Sequence, residues 1–288
     1  MNKNCLHRTS RRARAVNRFL VMCISLGVLV GCQSSKLELP AISASAHQTV
    51  VWHDLLSPDV ETSGKFMANV LGWNVSTTEY YTSIYDNDGR LVGGMVDTLA
   101  MEWGLKSGGW LMSMQSPDLD VTLALVSENG GKVLLPPRAY PNRGLSALVQ
   151  DPQGAVFEVL QLSAADDAEP VDDGVWIWHE LITTSPQASA AWYAKVFQLE
   201  VESMDGGRQL LKKGSLKLAT ISSNPFEDQR NQWIPVVATG DFETTVGRVS
   251  EWGGRVAVIL DPPVSSGRLA LIQDPTGAAM LLQEQEQE

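Results

Sequence analysis

The sequence predicts an α+β protein made of two tandem copies of one domain, each assembled from two βαβββ modules. Three observations lead to this fold class. The chain repeats itself, each copy alternates short β-rich segments with amphipathic helical segments, and Gly, Pro, Asn and Asp residues mark the boundaries between them. With 288 residues, 44% hydrophobic and 19% charged, the chain has the length and composition of two ordinary globular domains.

The internal repeat is the strongest of these signals. Three stretches recur in the same order: WHDL (52–55) as WHEL (178–181), NGGKV (129–133) as WGGRV (252–256), and LVQDPQGA (148–155) as LIQDPTGA (271–278). Two homologous domains follow from a repeat this extensive. We place domain 1 at 49–162 and domain 2 at 174–284, joined by an acidic, Ala- and Pro-containing linker at 163–173.

The first module of domain 1 begins with an apolar, β-rich strand at 49–56. A helix follows, with Ser57 and Pro58 as its N-cap and first-turn residues and Gly72 as its end. One face of this helix carries its apolar and small residues: Val60, Gly64, Met67 and Leu71. Two strand segments joined by the turn sequence DNDG complete the module: 80–86 and 90–96.

The second module restarts with a strand at 109–115. Its helix carries Leu119, Leu123 and Val126 on one face and ends at Gly130. Three further strand segments complete this module: 132–135, 145–150 and 155–162. Domain 2 repeats the same order, which gives four modules in the whole chain.

The N-terminal segment is predicted to be a lipoprotein signal peptide that covers residues 1–31. It contains six Lys or Arg residues and no acidic residue, and a short apolar run leads to Cys32. The sequence LVGC (29–32) resembles a bacterial lipobox, which implies lipid on the Cys32 thiol and acylation of the new amino terminus, a stable membrane anchor. Residues 32–48 then form a polar tether, and Gln33 favours sorting to the outer membrane, facing the periplasm.

The charge balance excludes several classes of partner. Loss of the leader removes six of the 22 basic residues and leaves 16 basic against 33 acidic residues, a net charge of −17. Such an acidic surface argues against nucleic acid and anionic headgroups as partners. The three cysteines are Cys5, Cys23 and Cys32, so the two domains have no thiol for a disulfide, a nucleophile or a metal site.

Three longer stretches connect the chain to a known family. FMANVLGW (66–73), NGGKVLLPP (129–137) and DPQGAVFEVLQL (151–162) resemble the vicinal oxygen chelate superfamily of glyoxalase I, bleomycin-resistance proteins and extradiol dioxygenases. The likeness to two-domain, glyoxalase-like members extends over residues 50–284. It implies that paired modules curl their sheets into an open, barrel-like cleft. In metal-dependent members, residues of the first and last strands bind a divalent ion in that cleft.

Two residues of domain 1 fall where the resemblance places metal ligands. His53 lies on the first strand, where side-chain alternation groups it with Val51 and Leu55 on the face expected to point inward. Glu158 lies on the last strand, and a carboxylate on an apolar face is costly unless it is paired or metal-bound. Three arrangements remain open: a Zn, Ni, Mn or Fe site completed by other donors, a direct imidazole–carboxylate hydrogen bond in a metal-free cleft, or two unrelated structural residues.

The other ligand positions of the family are not filled. Leu111 stands where domain 1 would offer a second histidine, Ile234 takes the equivalent place in domain 2, and Leu281 replaces the glutamate there. Two protein ligands are fewer than the three of catalytic zinc or facial-triad iron sites. We expect Leu111 and Ser113 to line the pocket of domain 1, and His179 and Ile234 to line a pocket of domain 2 that binds no metal.

The tryptophans next to the repeated histidines are assigned to packing. Trp52 and Trp178 alternate to the face opposite His53 and His179. We therefore predict that both indoles pack the sheets against the helices.

The sequence thus predicts a lipid-anchored envelope protein that binds a small apolar or aromatic molecule in a cleft with an incomplete metal-ligand set. No cofactor is certain, and a non-catalytic role is favoured. The alternative is a divalent-metal-dependent lyase, isomerase or dioxygenase in domain 1, where an ion on His53 and Glu158 polarises vicinal oxygens of the substrate. A purely structural role fits domain 2 best, and the oligomeric state stays open.

Overall fold

A computed structural model of the protein describes residues 39, 42–43, 49–78, 81–100, 106–140, 142–163, 169–170, 175–224, 230–260 and 267–285. The predicted signal peptide, Cys32 and most of the tether and the linker lie outside these residues. Both domains belong to one compact unit, residues 36–288. Within the described ranges, every helix is too short or too polar to span a bilayer.

Domain 1 is built on a single mixed sheet of eight strands. A two-residue strand outside this sheet, β1 (Ile42–Ser43), comes first in the chain. The eight strands of the sheet are β2 (Val50–Ser57), β3 (Asn74–Thr77), β4 (Tyr81–Tyr85), β5 (Leu91–Asp97), β6 (Gly109–Gln115), β7 (Lys132–Tyr140), β8 (Gly144–Gln150) and β9 (Val156–Leu162). The order across the sheet is β3-β4-β5-β2-β6-β9-β8-β7. The antiparallel pair β2–β6 joins the two modules at the centre, and each module contributes one half of the sheet.

Two helices of domain 1 cover one face of this sheet. Their bounds are α1 (Val60–Phe66), which continues as a π-helical turn (Met67–Leu71), and α2 (Leu119–Glu128). The N-cap of α1 is Asp59, not the predicted Ser57, because the Asp59 carboxylate accepts a hydrogen bond from the Thr62 amide at 2.9 Å. Gly72 ends the helical segment as predicted, with a φ of 76° that suits glycine.

Domain 2 repeats this architecture strand for strand. Its elements follow a two-residue strand β10 (Glu169–Pro170) that pairs with β1: β11 (Trp176–Thr183), α3 (Pro186–Phe197), β12 (Glu200–Ser203), a 3₁₀ turn (Asp205–Gly207), β13 (Gln209–Lys213), β14 (Leu216–Ser223), β15 (Gln232–Thr239), α4 (Phe242–Glu251), β16 (Arg255–Leu260), β17 (Leu269–Gln273) and β18 (Ala279–Glu284). The strand order, β12-β13-β14-β11-β15-β18-β17-β16, matches that of domain 1.

The predicted fold class is confirmed: two tandem α+β domains with open mixed sheets, each made of βαβββ modules. One strand of the first module was not predicted. All four residues of β3 are exposed, so this edge strand lacks the alternation of apolar and polar residues by which strands are recognised.

The domains pack through the sheet faces that carry the helices. One shared core joins α1 and its π-helical turn to α4, and a second joins α2 to α3. We call this side of each sheet the helix face and the opposite side the open face. The open faces have smaller apolar clusters of their own, centred on Trp52 and Leu160 in domain 1 and on Ile234 and Leu271 in domain 2.

Candidate functional site

The two repeated histidines meet where the domains touch. Nε2 of His53 lies 2.9 Å from Nε2 of His179, and the rings are nearly parallel, with an interplanar angle of 9°. The indole of Trp176 stacks on His53 with ring centroids 4.3 Å apart. The repeat WHDL/WHEL therefore contributes one histidine from each domain to a single hydrogen-bonded pair on the helix faces.

The surroundings of this pair determine its protonation. One Nε2 of the pair donates to the other, and which ring is the donor depends on the tautomer. Nδ1 of His53 is buried and has no hydrogen-bond partner among the described residues. Burial lowers the pKa of His179 to about 4; burial, and secondarily the charge of His179, hold the pKa of His53 well below its ordinary value. Both rings are neutral at pH 7.

His53 and Glu158 lie on opposite faces of the domain 1 sheet. Directly opposed residues of neighbouring strands share a face. His53 is opposed by Met112, whereas Ser113 is opposed by both Trp52 and Glu158. His53 and Glu158 therefore neither share a metal ion nor hydrogen-bond to each other. Of the three arrangements left open by the sequence, the register agrees with two unrelated residues.

The physical reason is that the face of β2 predicted to point into the cleft is the one that packs against the helices and domain 2. Side chains alternate as predicted, but helices and domain 2 cover His53, while Trp52 belongs to the apolar cluster of the open face. The prediction that Trp52 packs the sheet against helices is therefore wrong as well. For the same reason His179, predicted to line a pocket, lies in the contact between the domains.

The open face of domain 1 holds a buried polar network around Asp54. Its carboxylate accepts hydrogen bonds from Trp52 Nε1 at 2.9 Å and from the Tyr81 hydroxyl at 2.6 Å. Nη1 of Arg143 lies 3.3 Å from the same carboxylate and forms an ion pair with it. Three donors therefore satisfy the Asp54 carboxylate, as a buried charge requires.

Arg143 is the most unusual member of this network because it is almost fully enclosed, with 1% of its surface exposed. Its guanidinium lies 4.4 Å from the ring centroid of Trp52, a cation–π contact. Neither Asp54 nor Arg143 was predicted as a site residue. The acid at the third position of both WHDL and WHEL was a usable signal for Asp54, but the local sequence around Arg143 resembles an ordinary exposed turn.

Gly94 provides the space for this network. A Cβ atom at this position would lie 1.8 Å from the Tyr81 hydroxyl and 2.6 Å from Asp54 Oδ1. Any larger residue would therefore displace the hydrogen bond between them. In domain 2 the residue that pairs with the equivalent acid, Glu180, is Thr220, which fills that space with its own hydroxyl.

Glu158 lies on the same open face, beyond the Asp54 network. Its carboxyl accepts hydrogen bonds from the hydroxyls of Ser113 and Ser146 and forms no ion pair with any described residue. Leu148 of β8 lies directly opposite Glu158. Glu158 and Leu148 keep part of their surface exposed, whereas Ser113 and Ser146 are buried. Burial raises the pKa of Glu158 above its usual range, although the two serine hydroxyls oppose this. Leu111 and Ser113 are both on this face.

The open face of domain 2 carries an acid from the first strand but none from the last. Glu180 accepts hydrogen bonds from Ser222 and Thr220, and burial raises its pKa. Ile234 lies directly opposite Glu180, in the apolar cluster of this face, and Leu281 packs against that cluster. On the open face of domain 2, Glu180 therefore has hydroxyl groups on the β14 side and an apolar cluster on the β15 side.

The arrangement of both sheets relates the chain to known proteins. A Mn(II)-bound glyoxalase from Novosphingobium aromaticivorans has a similar structure, with a TM-score of 0.58 over 83% of this chain and 82% of that one at 14% identity. Homoprotocatechuate 2,3-dioxygenase from Brevibacterium fuscum, as a variant in complex with HPCA, gives 0.59 over 86% and 73%, also at 14% identity. The chain has the vicinal oxygen chelate fold. The fold implied by the sequence resemblance is confirmed.

Sequence comparison agrees with this vicinal oxygen chelate fold. The "Putative glyoxylase CFP32" of Mycobacterium bovis is 27% identical over 260 residues, which cover 83% of this chain and 96% of that protein. No protein-family model matches the sequence.

The vicinal oxygen chelate fold accommodates a divalent metal, as the Mn(II)-bound neighbour shows, but the donors on the open face of domain 1 do not fit one. The Asp54 carboxylate is occupied by three donors, and the guanidinium of Arg143 beside it repels a second cation. Glu158 has neither described histidine on its face. Across the described residues, no three His, Asp or Glu side chains are grouped so that they could hold a metal.

Proposed function

We propose that the protein is a binding protein whose domain 1 takes a small apolar or aromatic molecule on its open face, with Glu158 as the polar contact. The observation that carries this proposal is the state of Glu158: a partly accessible carboxyl, set among apolar residues and free of any ion pair with the described residues. Ser113 and Ser146 use only part of the acceptor capacity of this carboxyl, which has about four lone-pair sites. A ligand hydroxyl or N–H supplies a further donor.

The surroundings of Glu158 favour a flat, apolar partner. Leu111 and Leu148 lie on its face with part of their surface exposed. Tyr140 packs against the cluster that contains Trp52, and burial, with a smaller effect of the Glu158 charge, raises the pKa of its phenol. Apolar and aromatic walls around one polar group are typical of small-molecule sites. The neighbour in complex with HPCA supports small-molecule binding by this fold.

The first prediction concerns Glu158→Gln. Titration of the full chain with catechol and 2-naphthol, followed by tryptophan fluorescence, should show saturable binding. The variant should bind at least tenfold more weakly, because a hydrogen bond to a charged group contributes about 1.5–3 kcal/mol. Homoprotocatechuate should bind less well than catechol, since its carboxylate is repelled by Glu158 and by the acidic surface.

The matched control is Glu128→Gln, at the exposed end of α2. It removes the same charge far from the open face and should leave binding unchanged. Equal affinities for wild type and Glu158→Gln would refute the role of Glu158, and failure of all three compounds to bind would refute the aromatic ligand class.

The metal-dependent alternative is tested by metal content. We expect the full chain, purified without chelator and supplemented with Mn, Fe, Ni or Zn, to retain far less than one equivalent. Among the described residues, the open face of domain 1 offers one carboxyl without an ion pair, Glu158, and no histidine beside it. Elemental analysis measures the retained metal directly. Retention near one equivalent that disappears in Glu158→Ala would reverse our preference in favour of a lyase, isomerase or dioxygenase.

We further propose that the protein is tethered to the cell envelope through lipid on Cys32. The support is the lipobox-like sequence and the basic, apolar leader before it. Cys32→Ser should abolish incorporation of labelled palmitate and move the protein from the membrane fraction to the soluble fraction. Cys23→Ser, within the leader, is the matched control. Labelling that persists in Cys32→Ser would exclude this anchor.

A further inference from the structure

A second site lies away from both open faces, in a cavity of about 240 Å³ between the domains. Domain 1 contributes its π-helical turn and the loop between β4 and β5, and domain 2 contributes the end of β15, the first turns of α4 and Gln285. Ligand pockets are usually about 300–1,000 Å³ and are frequent at domain contacts. This cavity lies just below that range and suits only a small ligand.

One side of the cavity is apolar. Val70 and Leu71 of the π-helical turn line it, together with Val175 and Val237. A π-helical turn is a rare departure from α-helical geometry that occurs often at functional sites. Here it directs two aliphatic residues towards the space between the domains. This wall suits C–H groups and has no polar side chain that could bind a charged group.

The other side of the cavity is polar, and its charged side chains are paired with one another. The Thr245 hydroxyl donates to the Asp241 backbone carbonyl at 2.7 Å and therefore accepts from the Thr239 hydroxyl at 2.8 Å. The Asn87 and Gln285 side chains lie nearby. The carboxylate of Asp86, at the edge, already accepts bonds from the backbone amides of Asp88 and Arg90 and from the Arg90 side chain. The Asp88 carboxylate is paired with Arg90 at 2.6 Å. The groups that remain for a ligand are the two hydroxyl oxygens, which accept, and the two amides, which both donate and accept.

We propose that this cavity binds a neutral polyol of monosaccharide size. Such a molecule presents C–H groups on one side and hydroxyls on the other, which matches the two walls. Its hydroxyls would donate to the Thr245 oxygen and exchange hydrogen bonds with Asn87 and Gln285, while its C–H groups would lie against the π-helical turn. Because the walls come from different domains, the ligand would bridge them, separately from any ligand bound at Glu158.

The test uses saturation-transfer difference NMR on the full chain with D-glucose and D-xylose as probes. We expect saturation of the sugar C–H protons from the aliphatic wall, with affinity about five- to tenfold lower in Thr245→Val, which removes a hydroxyl at nearly constant shape. Thr244→Val is the matched control, since Thr244 is the exposed neighbour on the same helix and does not line the cavity. The control should bind as wild type does.

A second variant keeps the proposal testable if Thr245→Val unfolds. Ala238→Phe places a large ring in the cavity from β15 and should abolish the sugar signals while circular dichroism stays native. Absence of any signal with both sugars in the wild-type protein would overturn the proposal. Equal signals in wild type and Ala238→Phe would overturn it too, because binding would then be elsewhere.

Discussion

Replacement of Arg143 by methionine should destabilise the protein by about 3–5 kcal/mol, the loss expected when one partner of a buried ion pair is removed. The reason is the position of Asp54. Its carboxylate keeps two hydrogen bonds, from Trp52 and Tyr81, but loses the only cation that compensates its charge within the described residues. Urea unfolding followed by circular dichroism measures the change in the free energy of unfolding.

The double variant Asp54→Asn/Arg143→Met separates loss of the cation from loss of packing. It removes both charges, and the amide oxygen still accepts from Trp52 or Tyr81, so most of the lost stability should return; replacing both members of a buried pair is often neutral. Arg143→Met alone, if it stayed within 1 kcal/mol of wild type, would show that the Asp54 charge is neutralised in another way. Glu158→Gln serves again as a comparison, since Glu158 forms no ion pair with the described residues.

The sequence predicted the fold well because the fold depends on repeated, local patterns. The duplicated stretches and the strand–helix alternation are readable without knowledge of contacts, and the structure has the same order in both domains. The edge strand β3 was missed because all its residues are exposed, so no apolar periodicity marks it.

The candidate site was predicted less well. A strand pattern groups residues by face, but it does not show which face packs against the helices and the other domain. Alternation placed His53 and Trp52 on opposite sides correctly. Which side is covered depends on domain 2, whose Trp176 stacks on His53. Arg143 illustrates a different limit: its burial results from the approach of β2 and β4, distant in sequence, and the residues beside it do not indicate this.

The histidine pair should make the protein sensitive to acid. The pKa of both rings is below the unfolded value of about 6.5, His179 at about 4 and His53 well below its ordinary value. The unfolded chain therefore binds more protons below pH 6.5, and the stability contributed by the pair is complete above that pH and declines as pH falls towards 4. Each histidine contributes up to about 1.4 kcal/mol per pH unit, so His179 alone accounts for about 3 kcal/mol across this window.

Glutamine substitutions isolate this effect. The amide of His53→Gln can donate to or accept from His179 without titrating, and His53→Gln/His179→Gln removes both titrations. Other groups, such as Asp59 and Asp86 with their lowered pKa values, still titrate in the double variant and cancel in the comparison. The fall in unfolding free energy from pH 7 to 4.5 should be several kcal/mol smaller in the double variant, and unchanged in His47→Gln. Parallel pH profiles for wild type and the double variant would mean that the rings accept protons without loss of stability. The contact between the domains would then have to admit water or a counter-charge to the His53–His179 pair.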